Sequence, residues 1–302
     1  MPGNSLSLKP LVIAVGSLVL LIGGAAGCTI GGGDEGSASG SPVGSGAGSD
    51  CSTPAVIGTD GSAEGRVVGA LYGELLTGAG KRVRISATRY ASPADTARAV
   101  VEGRLDLAPA YEMTTLRALP GGQTVPGDLA TTLSMALPPG IDALPPAAAQ
   151  NGVVLAVTPA TAHRHGLRDL TDLGGIKGLR LGGSAAGHPD APTATALRRV
   201  YGVTLTPAGT SSTADVLVLR GTDPLIAREH LVVLTDSRGV VPPEHVFPLI
   251  SAACADVDGR NALARLDSAL TTGQLAGLAS SVAAGQDPSK TARAWLRAGT
   301  TH

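Results

Sequence analysis

Ala55-Val56-Ile57-Gly58-Thr59-Asp60 and Leu105-Asp106-Leu107-Ala108-Pro109-Ala110-Tyr111 bracket the stretch that decides the fold. The first run is short, apolar and broken at glycine, as a buried parallel strand is. After it, Val67, Val68, Leu71, Leu75 and Leu76 recur at three- and four-residue spacing, which predicts a helix with one apolar face, stopped at Gly78 and Gly80. Arg82 to Thr88 alternates like a strand. The next helix is punctuated at both ends, with Ser92 as N-cap, Pro93 at the first helical position, Asp95 in the first turn and Gly103 past the end. A third strand then delivers Tyr111 at its carboxyl end, where open α/β sheets bind ligands. The order strand, helix, strand, helix, strand is the frame of a binding domain.

Upstream, Lys9 precedes an apolar run from Leu11 to Leu21, and small residues lead into Cys28. A basic start, a short apolar core and small residues before a cut site describe an export signal. The core falls short of the about 20 residues that a membrane-spanning helix needs. Two readings stand: a lipoprotein signal with Cys28 acylated, and a plain secretory signal with an incidental cysteine. Gly31 to Asp50 is almost entirely Gly, Ser, Ala and Asp, which cannot bury enough apolar surface to hold a fold and is expected to act as a tether. Cys51 and Cys254 remain as a pair for one disulfide in an oxidising compartment, or as two free thiols. There is no CxxC pair or His/Cys cluster to hold a metal, and no cofactor is expected. A formal net charge of −1 gives no footprint for nucleic acid.

After Tyr111 the sequence reads as loop to Gly152, with one helix from Gly127 to Met135. Val153–Val157 is a buried strand, Leu179–Gly183 a strand ending in glycines, Thr193–Tyr201 a helix and Ala214–Leu219 another buried strand. Leu231–Leu234 and Val246–Ile250 are further strands, and the tail from Arg260 is helical. Thr271 with Gln274, and Asp287 with Pro288, open its last helices. Those helices have no sheet of their own, so the first lobe is built from both ends of the chain and a second is inserted between extended crossings near Val153–Val157 and Leu231–Leu234. The expected fold is therefore α/β and two-lobed, the hinge-closing arrangement of periplasmic binding proteins (type II-like). Its parts are residues 1–28 as signal, 29–54 as tether, 55–152 with 235–302 as the first lobe, and 153–234 as the second.

Collinear pieces of the chain resemble the OpuAC/ProX-type substrate-binding proteins, which serve ABC importers for glycine betaine, choline, carnitine and related osmoprotectants. They are Val56-Ile57-Gly58-Thr59 with Glu64 and Leu71-Tyr72; Gly103 to Tyr111; Val157 to Ala162 with Gly166-Leu167 and Asp169-Leu170; Leu181-Gly182-Gly183; Tyr201-Gly202; Thr222-Asp223-Pro224; Leu231 to Asp236; and Asp287-Pro288 with Ala292 and Trp295. The resemblance runs from Ala55 to Arg297. It implies hinge closure on a small quaternary-ammonium or amine ligand, an ABC permease as partner, and a lipid-anchored place on the outer face of the plasma membrane.

The resemblance also implies an aromatic cage that holds the cation through cation–π attraction, and a basic residue from each lobe on the ligand carboxylate. Tyr111 matches a cage tyrosine. Where the family has lysine this chain has Asp60, and where it has arginine this chain has Asp190. Gly187 and Arg220-Gly221 replace aromatics. A carboxylate ligand facing two aspartates in low dielectric meets like charge at a cost of several kcal/mol on rough Coulomb grounds. Three readings follow: a cation without a carboxylate, a different ligand held by backbone groups, and a scaffold that has lost transport binding. Thr59, Thr222 and Tyr90 are further candidate ligand residues at strand ends and loops. Tyr72 and Tyr201 read as packing residues, and His163 with His165 as a solvated helix face. No Gly-x-Ser-x-Gly elbow surrounds any serine, so binding rather than catalysis is expected.

Overall fold

The computed structural model describes residues 51–120, 129–208 and 213–299. The expected signal, Cys28 and the tether as far as Asp50 lie outside the described residues. β1 (Ala55–Ile57) passes through Ser62, whose hydroxyl accepts the Gly65 N–H at 2.9 Å, into α1 (Ala63–Gly78). β2 (Val83–Ile85) follows, then α2 (Pro93–Val101), capped by Ser92 with proline at its start. β3 (Leu107–Tyr111) is buried at every residue and runs directly into α3 (Glu112–Ala118). α4 (Leu129–Ala136) and β4 (Ile141–Ala143) complete this part of the first lobe.

The second lobe comprises β5 (Val153–Val157), α5 (Pro159–His165), a 3₁₀ turn over Leu170–Gly175, β6 (Arg180–Gly182), α6 (Ala194–Tyr201), β7 (Thr206–Pro207), β8 (Val216–Arg220), α7 (Pro224–Arg228) and β9 (Val232–Val233). The chain then returns as β10 (Val246–Ser251), followed by α8 (Val257–Ala264), α9 (Leu266–Ala269), α10 (Thr272–Ala283) and α11 (Pro288–Gly299).

Two five-stranded sheets result, in the orders β2-β1-β3-β10-β4 and β7-β6-β8-β5-β9. In the first, β1, β2 and β3 are parallel and β10 inserts antiparallel between β3 and β4. A strand from late in the chain is thus an interior strand of the first sheet. Its Phe247, the single phenylalanine, is 1% exposed. α10 and α11 close over α1, where Leu275, Leu278, Val282 and Ala292 join Val67, Leu71 and Leu75 in one apolar cluster. Cys51 and Cys254 form a disulfide that ties the start of this lobe to the residues after β10.

The crossings between lobes lie elsewhere than the strand pattern places them. β5 and β9 are paired strands inside the second sheet. Thr235 bridges Asp169, and Val240 and Val241 pack against the second lobe's core, so residues 235–241 stay with that lobe rather than the first. The crossings are residues 149–152 and 242–245, joined to each other: the Asn151 N–H donates to the Glu244 carbonyl and the Val246 N–H to that of Ala149, each at 3.0 Å. After Leu234 the sequence turns polar over residues 235–239 before Val240 and Val241, and the pattern by itself does not mark which lobe's core receives those two valines.

Candidate functional site

Tyr111 ends β3 and is 5% exposed. Its hydroxyl donates to Glu64 Oε1. Burial, with the negative charges of Glu64 and Asp60 nearby, pushes the phenol well above its ordinary pKa, so it stays a donor. Glu64 stands in the first turn of α1, where the helix dipole favours an anion, and is itself buried. Its other oxygen, Oε2, accepts from Asn151 Nδ2 at 2.8 Å and from Thr222 Oγ1 at 2.7 Å. The Thr222 N–H in turn donates to Asn151 Oδ1 at 3.3 Å. One carboxylate therefore gathers a side chain from the first sheet, one from a crossing and one from the second lobe.

The sequence does not announce Glu64. An acidic residue in a first helical turn is already explained by the dipole, and its three donors lie 47, 87 and 158 residues away along the chain. Thr222, a candidate on sequence grounds, joins this group through its hydroxyl. Thr59 is buried at 9% exposure and packs its methyl toward α1: a side chain on Gly69 would come within 2.5 Å of it. Asp60 lies close enough to act on Tyr111, but turns its Oδ1 back to Ser62, accepting the backbone N–H at 3.1 Å and the hydroxyl at 2.8 Å. Tyr90 is not brought to this group. It packs with the apolar cluster around α2 and β10, under the guanidinium of Arg104 at 5.8 Å.

Asp190 does not face the cleft as an unpaired charge. Its carboxylate is gripped by both terminal nitrogens of Arg117, which reaches from α3 across to the second lobe; Nη1 to Oδ2 is 2.9 Å. Arg117 was not singled out by the sequence, and the pair lies 73 residues apart. The loop carrying Asp190 leaves β6 through Gly183, whose φ of +133° and lack of a side chain allow it to lie against β8; a Cβ there would sit 2.2 Å from the Val218 carbonyl. Arg220, in the slot where the resemblance implies an aromatic, donates from Nη1 to His188 Nε2 at 2.9 Å. His188 Nδ1 accepts the Asp190 N–H at 3.2 Å and lies 3.6 Å from Asp190 Oδ2. Burial and the charge of Arg220 hold the imidazole below its usual pKa.

At the crossing, Glu244 is 1% exposed and accepts the N–H groups of Met113 at 2.7 Å and Thr114 at 3.1 Å, with the Thr114 hydroxyl. It caps α3 from the far side of the hinge. Beside it, Glu112 Oε2 accepts from the His245 backbone at 3.0 Å and lies 2.9 Å from His245 Nδ1. A cavity of about 380 Å³ opens behind the crossings, bounded by Gln150, Leu155, Leu234, Pro242 and His245.

Residues 53–298 match the family described as the substrate binding domain of ABC-type glycine betaine transport systems. The chain belongs to this family. Among solved structures, it is similar to a glycine betaine/carnitine/choline ABC transporter protein, at 18% identity over 80% of this chain and 97% of that one, with a TM-score of 0.69. It is similar to apo YehZ from Escherichia coli at 21% identity, 82% and 99% coverage and a TM-score of 0.62. It is also similar to lactococcal OpuAC in its closed form with glycine betaine, at 13% identity, 82% and 96% coverage and a TM-score of 0.50. At these identities the likenesses carry the two-lobed α/β fold. No curated protein matches the sequence. No helix among the described residues is long and apolar enough to cross a membrane.

The group around Glu64 lies at the carboxyl end of β3 and beside the crossing between lobes. All three hydrogen-bond donors to Glu64 are neutral, so its charge is solvated but not cancelled. A phenol that donates to a carboxylate also gains electron density in its ring, which strengthens attraction for a cation on the ring face.

Proposed function

We propose that this chain is the extracytoplasmic binding component of an ABC importer for small molecules with a quaternary-ammonium or amine head. The observation that carries this reading is the Tyr111–Glu64 pair: a buried aromatic ring backed by a carboxylate with only neutral donors. Family membership supports the transport role. Tyr111 is the cage wall, and Thr59, Asp60 and Thr222 are cleft residues that set polarity and shape. The lobes close on ligand, and the permease engages the closed form because its affinity differs between the two states. Acylation at Cys28 holds the protein at the membrane through the Gly31–Asp50 tether. Its partners are the ligand, the permease subunits and the membrane surface.

A second reading has one observation in its favour. The lobes are joined by the protein's own bonds, Glu64 with Thr222 and Arg117 with Asp190, so a non-transporting envelope lipoprotein that keeps the scaffold as a sensor or interaction partner is the alternative. The experiment is thermal denaturation of the wild type and Tyr111→Ala with and without choline. Stabilisation of the wild type and none of a folded Tyr111→Ala supports the binding reading; equal responses, or none in either, favour the alternative.

A further inference from the structure

Arg117 and Asp190 meet across the lobe interface through two guanidinium nitrogens and both carboxylate oxygens. Arg117 projects from α3 of the first lobe, and its side chain keeps 39% of its exposure; the Asp190 side chain keeps 5%. Asp190 therefore depends on Arg117 for its counter-charge. The other nearby guanidinium, Arg220, is engaged by His188. A planar guanidinium binding a carboxylate through two nitrogens is directional as well as strong, so the pair forms only when the lobes are correctly set.

We propose that Arg117 and Asp190 form a specificity-determining latch, in which the protein's own carboxylate closes the lobes and ligands bearing a carboxylate are thereby disfavoured. This rests on the binding reading above. A ligand without a carboxylate leaves the pair intact on closure. A ligand whose carboxylate reaches Arg117 must displace Asp190 and leave a buried charge without its partner, the costly way to break such a pair. Glu244, which also acts on Arg117, adds negative charge on the same side. Selection comes from the penalty on the wrong ligand more than from new contacts to the right one.

The test uses the intact chain in detergent solution, with choline as the cationic probe and glycine betaine as its carboxylate-bearing counterpart. Affinities are measured by calorimetry, and the radius of gyration by X-ray scattering without either probe. Three proteins are compared: wild type, Asp190→Asn, and the charge swap Arg117→Asp with Asp190→Arg. Wild type is expected to prefer choline by about tenfold or more, the scale on which breaking a buried ion pair acts. Asp190→Asn is expected to bring the two affinities together and to enlarge the radius of gyration; the swap is expected to restore the compact form. An unchanged ratio and unchanged radius in Asp190→Asn would overturn the proposal. If neither probe binds while Asp190→Asn still expands and the swap recloses, the binding reading and the selectivity both fall, but closure by the ion pair stands.

Discussion

His245 couples its charge to Glu112 at the crossing, 2.9 Å from Nδ1 to Oε2. The hydrogen bond to Glu112 raises the imidazole pKa above 6.5, against an opposing pull from burial. A histidine whose folded pKa exceeds its unfolded value contributes stability that is complete below about pH 6.5 and is lost as pH rises through the folded value. Glu244 next to it acts with the same sign but in a window that opens lower, from about pH 4.5, because burial raises its carboxyl above the ordinary range despite the bonds it accepts; the slope above pH 6 is assigned to His245. Chemical denaturation between about pH 6 and pH 8.5 is therefore expected to show stability falling with pH, and His245→Asn to flatten that slope. An identical slope in the variant would remove His245 as the cause. At this scale, the residues that make the site were the least legible. Tyr111 stands out in the sequence because it ends a buried strand in a chain with few aromatics. Glu64, Asn151 and Arg117 do not, since what gives them a role is a partner dozens of residues away.

Among the elements, the parts with local causes were readable. Ser92 with Pro93 and Thr271 with Gln274 start helices where they are expected to, and the apolar runs of β3, β5, β8 and β10 are buried strands. The sequence pattern predicts loop directly after Tyr111, where the structure has α3. It has no capping side chain before it, because its residue at that place is Tyr111, and its first N–H groups are met by Glu244 from about 130 residues away. The single helix expected from Arg260 to Leu270 is two short ones, α8 and α9, starting at Val257. Glu244→Ala is expected to strand those N–H groups and the Thr114 hydroxyl, costing about 1–3 kcal/mol. Hydrogen exchange is the measurement: protection should fall in α3 well before it falls in β3. Uniform loss across both elements would mean that Glu244 supports the whole lobe rather than this helix end.

For the whole molecule, the two crossings are the only chain segments seen to run between sheets among the described residues, and they are bonded to each other. Closure then bends a paired ribbon, a hinge of a few residues at element ends. The first lobe is secured differently, by Cys51 and Cys254, which are 203 residues apart in sequence. A cross-link closing so long a loop restricts the unfolded chain strongly, and its reduction is expected to cost roughly 2–5 kcal/mol. Melting with and without reductant checks this; a shift of less than about a degree would show that the bond contributes little. The two-lobed layout was legible in outline from the tail helices that lack a sheet. The exact crossings were not, because which core receives Val240 and Val241 is decided by packing partners distant in sequence.

The measurement that bears most directly on the account is a thermal-shift series on the wild type with choline, glycine betaine, carnitine, ectoine, proline and polyamines. A ligand present at about 100 times its dissociation constant adds about 2.7 kcal/mol, a rise of a few degrees for a protein of this size. The cleft described here predicts that rise with choline or an amine, a smaller one or none with glycine betaine, and its loss in Tyr111→Ala. Stabilisation by glycine betaine alone, surviving in Tyr111→Ala, would contradict both the cation site at Tyr111 and Glu64 and the exclusion of carboxylates by Arg117 and Asp190.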